Sequence, residues 1–386
     1  MNNATTADDR TTYIVIGTLL IAVTGMAMAI GMSFPLVTLA LERLGFNNTV
    51  IGLNSSMGSV GIVVTGLLSA RLLKRFNGYI LMIVASLTGI ASLLIMPWTT
   101  SATGWFALRF LEAAGLGFLW LVSENWLTVL APAHKRGQII GLYGMAFSGG
   151  FASGPLIVSL IGSQGWEPFA ITAGILALSS LPMIVAAYTH YVHNSEEDPH
   201  GYKQIFFLGR FIFILAFAAG LFEATVFALM PLYTLAEGLN EDWTLYALSA
   251  LSAGGIAFQY PMGRLADVVG RYALMVLTAI GVLVSVIAIP YVIDSLVWLM
   301  VVLFFFGGSI FGLYTLGLIL LGDNFTALNL VTANALFIIV YESGSIIGPA
   351  MSGVSMDIWP EDGFIGFLLM FSIVLIVMTA FRRNKL

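Results

Sequence analysis

Five charged side chains lie inside long apolar runs of this sequence. Arg109, Glu112 and Glu124 occur in one run, Glu223 in a second and Glu342 in a third. If these runs are membrane helices, each charge costs about 2.5 to 3.5 kcal/mol near the helix centre unless it meets a partner or water. Charges at such positions are therefore candidates for ion pairs, for proton carriers or for contacts to a bound solute.

Glu223 is the strongest candidate for a proton carrier. It lies near the middle of its run, in Gly220-Leu221-Phe222-Glu223-Ala224-Thr225, with no Lys or Arg within one helical turn. Because removal from water favours the neutral form of a carboxyl, a change of surroundings can load and release a proton. The alternative is a protonated acid that only hydrogen-bonds to a neighbouring helix. Glu342 is predicted to be a second titrating site or a gate.

The run that contains Arg109 offers two further interpretations. At positions i and i+3 of a helix, Arg109 and Glu112 share a face, so they either neutralise each other or take part in proton transfer. Glu124 lies about 18 Å further along the same helix. It either lines an inner vestibule or reaches the membrane interface.

The composition is that of an integral membrane protein. Of 386 residues, 59% are hydrophobic and 9% are charged, whereas soluble domains carry about 25% charge. The chain has no cysteine, which excludes disulfides, thiolate metal sites and cysteine nucleophiles. Its four histidines fall in or beside polar loops, so a carboxylate is the expected proton-carrying group. The first apolar run is longer than a secretory signal and is predicted to be a span.

The apolar runs predict an all-α polytopic protein with twelve transmembrane helices. A polar stretch at 193–204 is the expected cytoplasmic linker between an N-terminal six-helix bundle, 1–192, and a C-terminal one, 205–386. The predicted spans are 13–41, 49–70, 79–98, 104–130, 137–162, 167–191, 205–236, 243–263, 272–292, 295–321, 327–356 and 363–381.

The two halves carry a weak internal repeat. Pro35-Leu36 is matched by Pro231-Leu232, and Gly150-x-x-x-Gly154-Pro155 by Gly344-x-x-x-Gly348-Pro349, each about 195 residues later. Repeats in this order predict two parallel, pseudo-symmetric halves related by an axis along the membrane normal.

A charged turn separates two of the apolar runs, at Gly263-Arg264-Leu265-Ala266-Asp267-Val268-Val269-Gly270-Arg271. Gly263 and Gly270 are predicted to break the flanking helices, and Asp267 to cap a helix start. The pattern resembles the signature loop of the major facilitator superfamily. A degenerate copy in the first half has Ala70 where the aspartate would stand.

This resemblance implies the fold of that superfamily and a transporter that works by rocking of its two bundles. Spans one, four, seven and ten would line the central path, and Asp267 would lie near the start of span five as a latch of the inner gate. Further stretches look like the YcaD-like branch, among them Leu229-Met230-Pro231-Leu232-Tyr233 and Trp120-x-x-x-Glu124.

Span five is similar to the motif of antiporters in that superfamily. It contains Gly141, Gly150 and Gly154-Pro155, but has Val158-Ser159 in place of the trailing glycines. Small residues let a neighbouring helix approach, and a proline bends its own helix. The motif predicts a hinge and favours antiport, and plain close packing is the alternative.

Most basic residues are predicted to lie on one side of the membrane. With the N-terminus inside, thirteen of the 15 lysines and arginines lie in cytoplasmic segments. Both termini are therefore expected in the cytoplasm of a bacterial-type inner membrane.

Together these features predict a proton-coupled exporter of small organic solutes, apolar or cationic, that exchanges them for protons in the lipid bilayer. The alternative is a proton-coupled importer of a metabolite such as a sugar or an amino acid. An enzyme is not expected, since no His-Glu-x-x-His helix occurs and no ATP-binding glycine loop is present. We expect a monomer with no cofactor, no metal and no nucleic-acid partner.

Overall fold

A computed structural model describes residues 3–130, 136–189, 202–325 and 327–381, which are helical almost throughout. The predicted all-helical architecture is confirmed. The helices are α1 (Asn3–Arg43), α2 (Asn48–Arg75), α3 (Gly78–Ile95), α4 (Ala102–Leu130), α5 (Arg136–Ile161), α6 (Glu167–Thr189), α7 (Tyr202–Ala236), α8 (Glu241–Val268), α9 (Arg271–Val292), α10 (Leu296–Asn324), α11 (Ala327–Ile358) and α12 (Gly363–Phe381).

Eleven of these helices are long and apolar enough to cross a membrane, and α8 is the exception. Its sequence contains serines, Gln259 and charges near both ends, which lower its hydrophobicity. Packing holds α8 in place instead. A Cβ built at Gly254 would collide with the carbonyl oxygen of Phe304 in α10, and one at Gly307 with that of Leu251 in α8. The two backbones touch because neither glycine carries a side chain.

The described residues fall into two compact units. One contains those of 1–36 and 60–195, and the other those of 37–59 and 196–386. Thus the end of α1 and the beginning of α2 group with the second half of the sequence. The linker expected at 193–204 lies outside the described residues up to position 201, and α7 begins at Tyr202.

In the first unit, α1 and α5 meet along a stripe of small residues. A Cβ at Gly150 would collide with the carbonyl oxygen of Thr24, and one at Gly154 with the backbone of Gly31. Gly141, in contrast, has open space around it, so the close approach is confined to the middle of α5. Pro155 follows directly inside the helix.

In the second unit, α7 and α11 meet in the same way. Cβ atoms at Gly344 and Gly348 would collide with the backbone carbonyls of Phe217 and Leu221, and a Cβ at Gly220 with that of Tyr341. Pro349 again follows inside the helix. The repeated glycines therefore build equivalent helix pairs, and this contact sets the register in which α11 faces Glu223 of α7.

Candidate functional site

Glu223 is a half-buried residue in an otherwise buried part of α7. Its chain neighbours Phe222 and Ala224 are buried, while Glu223 keeps partial exposure. The hydroxyl of Tyr341, which α11 brings alongside, donates a hydrogen bond to its carboxylate. Glu223 is therefore more accessible than the residues on either side of it in the chain.

Glu342 follows Tyr341 on α11 and is only 3% exposed. It accepts a hydrogen bond from the Ser59 hydroxyl of α2, and it lies close enough to Glu223 for the two carboxyls to interact electrostatically. Among the described residues, neither glutamate belongs to an ion pair. Two carboxyls thus share one apolar region, and no Lys or Arg of the described residues forms an ion pair with either.

Tyr341, beside this pair, belongs to a row of packed aromatic rings. The ring of Tyr314 in α10 meets the ring of Tyr341 edge to face, with 5.3 Å between centroids, and it meets the ring of Phe337 at the same distance. Phe337 is fully buried, whereas both tyrosines are half-buried. We call Glu223, Tyr341, Glu342, Tyr314 and Ser59 the α7–α11 cluster.

The beginning of α2 runs antiparallel to the end of α11 and positions Ser59. Asp357 accepts hydrogen bonds from the backbone N–H groups of both Asn48 and Thr49 at the first turn of α2. Further along, a Cβ at Gly52 would meet the carbonyl of Pro349. The hydroxyl of Ser56 donates to the carbonyl of Ile346 at 2.6 Å. One stripe of α2 therefore leads from its capped end to Glu342.

Arg109 and Glu112 are in a different environment within the first unit. The guanidinium donates to the Glu112 carboxylate at 2.8 Å and to the Ser33 hydroxyl of α1 at 2.7 Å. Ser33 in turn donates to Glu112, and the guanidinium carbon lies 4.9 Å from the centroid of the Phe34 ring. Arg109 and Glu112 are almost completely buried. The predicted pairing of the two charges is therefore present as a closed triad with Ser33.

Glu124, the remaining acid of α4, is half-buried in the same unit. The sequence predicts that Glu124 either lines an inner vestibule or reaches the membrane interface, and its role stays a prediction.

The signature loop is shorter than predicted. Gly263 lies inside α8, and Asp267 belongs to the last turn of that helix. The residue before α9 is Gly270, whose φ of 90° is a left-handed conformation that suits glycine. The prediction that Gly263 breaks a helix and that Asp267 caps one is wrong, because α8 continues to Val268 before the chain turns.

Arg271 of the loop has two acidic neighbours, one in α10 and one in the last turn of α8. Arg271 binds the carboxylate of Asp323 at the end of α10 through two of its nitrogens. Its Nη2 lies 3.7 Å from Oδ1 of Asp267, a carboxylate that is 74% exposed. The latch proposed for Asp267 stays a prediction.

Three comparisons with known proteins bear on this architecture. The sequence model of the Major Facilitator Superfamily matches residues 19–349 and 212–385. The chain belongs to the major facilitator superfamily. It is a multi-pass membrane transporter of small solutes, as members of this superfamily are, and not an enzyme.

Relatives and solved structures agree with this membership. The chain is 28% identical to an uncharacterized MFS-type transporter, YfkF, of Bacillus subtilis, over 91% of this chain and 90% of the relative. It is 25% identical to an uncharacterized MFS-type transporter, YcaD, of Salmonella dublin, over 93% of each. Among solved structures, the nucleoside transporter NupG has a TM-score of 0.78 at 14% identity, covering 96% of this chain and 98% of NupG.

A bacterial homologue of the human lysosomal transporter Spinster has a TM-score of 0.77 at 12% identity, with 96% of both chains covered. At these low identities, the likeness to the two structures shows the fold.

Sequence reasoning missed the partners that complete both sites. Ser33, Ser59 and the hydroxyl of Tyr341 each lie on a different helix from the glutamate they contact. The spacing of Gly344 and Gly348, repeated from Gly150 and Gly154 in the first half, was the one available signal that α11 packs closely against a neighbouring helix at this level.

Proposed function

We propose that this superfamily member is a proton-coupled transporter that exports small organic solutes in exchange for protons by alternating access. The observation that carries the proposal is the carboxyl pair Glu223 and Glu342, which has no cationic partner among the described residues. Two carboxylates in one apolar region repel each other, so the pair is most stable when it holds at least one proton. Proton uptake and release then change the charge of the solute path.

Exchange is favoured over co-transport by the motif in α5. Gly150 and Gly154 bring α5 against the backbone of α1, and Pro155 removes one helix hydrogen bond at the next position. Such a point is suited to a hinge in an antiporter. Import with protons is the competing function, and the assay below distinguishes the two.

The proposal includes the setting of the transporter. The distribution of lysines and arginines supports an inner-membrane protein with both termini in the cytoplasm, and nothing in the cycle requires more than one copy. The partners are then the solute, protons and the lipid bilayer.

The test uses inside-out vesicles that contain the protein and carry an imposed pH gradient. We expect addition of a transported solute to collapse the gradient in wild-type vesicles. Glu223→Gln should abolish the collapse, because the amide cannot take up a proton. Glu361→Gln is the matched control, since it removes the same group from an exposed position outside the cluster, and it should behave as wild type.

Two results would contradict the proposal. A solute-specific collapse that persists in both Glu223→Gln and Glu342→Gln would remove the cluster as proton carrier. Proton-driven uptake seen in right-side-out vesicles alone would make the protein an importer.

A further inference from the structure

We propose that the α7–α11 cluster binds an organic monocation, an ammonium group on an apolar body, in place of one of its protons. This inference rests on the proposed proton-coupled function and names the class of solute.

The charges of the cluster support a cation. The titratable groups that interact with Glu223 are Glu342 and Tyr341, and Tyr341 interacts in addition with Tyr314. Each of these groups is neutral when protonated and negative when deprotonated. Among the described residues, no Lys or Arg forms an ion pair with either glutamate. An anionic solute would meet only repulsion here, whereas a cation would supply the missing charge.

The exchange balances in protons and charge. With two protons the carboxyl pair is neutral. When one carboxyl loses its proton, the ammonium of the solute replaces that positive charge and the pair with its ligand is neutral again. One monocation therefore exchanges for one proton, and no bond other than the O–H bond of the carboxyl is broken.

The aromatic rings give the ammonium and its apolar body a place to bind. The half-buried rings of Tyr314 and Tyr341 form an edge-to-face corner beside Glu223, with an angle of 75° between their planes. A cation over such a ring face gains about 0.5 to 2 kcal/mol. The ring of Phe337 packs edge to face against the ring of Tyr314.

A further polar atom supports a polar ligand at this level. The hydroxyl oxygen of Ser55 is buried without a hydrogen-bond partner. It lies on α2, one helical turn before Ser59. A buried hydroxyl without a partner is destabilising, and an ammonium carries three donors.

The experiment measures binding to the purified full-length chain in detergent. The probes are three apolar bodies, phenylethyl, hexyl and naphthylmethyl, each carried as the ammonium, the alcohol and the carboxylate. Titration calorimetry in two buffers with different ionisation enthalpies yields both the affinity and the number of protons released.

At least one ammonium should bind ten times more tightly than the alcohol of the same shape and release about one proton. Glu223→Gln should abolish that preference and the proton release. Tyr314→Leu should weaken ammonium binding about fivefold, as expected for loss of one ring face. Glu361→Gln should leave both quantities unchanged.

If no ammonium binds more tightly than its alcohol, the inference is overturned. Glu223-dependent proton flux with a neutral or anionic solute would overturn it as well and leave the proposed function standing. Conversely, an ammonium that binds at the cluster and is transported without moving protons would overturn the proposed function and leave the cation site standing.

Discussion

Glu112 and Glu223 both lie inside long apolar helices, but among the described residues only Glu112 forms an ion pair with a cation. Glu112 is held by Arg109 and Ser33 in a closed triad. Glu223 accepts a hydrogen bond from a tyrosine hydroxyl and interacts electrostatically with a second carboxyl. The triad is electrically complete, so it needs neither a proton nor a ligand. In the proposed mechanism, the α7–α11 cluster is neutral only when it holds two protons, or one proton and a bound monocation.

The internal repeat makes this contrast sharper. Both units bring their first and fifth helices together through glycines, at Gly150 and Gly154 in one and at Gly344 and Gly348 in the other. With the spacing of the repeat, Glu223 corresponds to Ala27 and Glu342 to Ser148. The scaffold is therefore present twice, whereas the carboxyl pair occurs in the second copy alone.

Arg109→Gln should produce the largest loss of stability. It leaves the fully buried Glu112 carboxylate without a cation, and breaking a buried pair in this way costs about 3 to 5 kcal/mol of unfolding free energy. The thermal unfolding midpoint in detergent, followed by size-exclusion chromatography, should fall strongly. Arg109→Gln combined with Glu112→Gln should recover most of the loss. A single variant as stable as the wild type would show that Glu112 is not charged in the folded protein.

Ser33→Ala should cause an intermediate loss of stability. The hydroxyl accepts from Arg109 and donates to Glu112, and hydrogen bonds to charged groups are worth about 1.5 to 3 kcal/mol each. Ser59→Ala is the matched change in the second unit, where one bond to Glu342 is lost. The same thermal assay should rank Ser33→Ala as the more destabilising of the two. The reverse order would argue against a charged triad.

Glu342→Gln should have the smallest effect on stability. No described cation loses its partner, and a glutamine can still accept the hydrogen bond from Ser59, so we expect a change within about 1 kcal/mol. Glu112→Gln, its counterpart, isolates Arg109 and should be clearly destabilised. Should Glu342→Gln unfold as readily as Glu112→Gln, the distinction between the two sites would be lost.

The sequence predicts much of the fold for physical reasons. Long apolar runs, their spacing and the repeated glycines are local features, and they account for the order of the helices and for the α1–α5 and α7–α11 pairs. Arg109 and Glu112 were recognised as neighbours because one helical turn places them together. Even α8, which is not among the helices apolar enough to cross a membrane, was predicted at 243–263 as an apolar run between two polar turns.

The rest depends on packing between distant segments. The contacts of Ser33 with Glu112, of Ser59 with Glu342 and of Tyr341 with Glu223 require the relative rotation of two helices, which no local pattern fixes. The error at Asp267 has a local cause. Aspartate is a good cap, but here the helix extends past it and the positive φ of Gly270 makes the turn.

The capped end of α2 has a consequence for how the chain is made. Asn48 and Asp357, which meet there, are 309 residues apart in sequence. At about 5 to 20 residues per second, translation separates their appearance by roughly 15 to 60 seconds. Throughout that interval the first turn of α2 lacks the carboxylate that satisfies its backbone N–H groups. A region begun by the first two helices is therefore finished only when the eleventh has been synthesised.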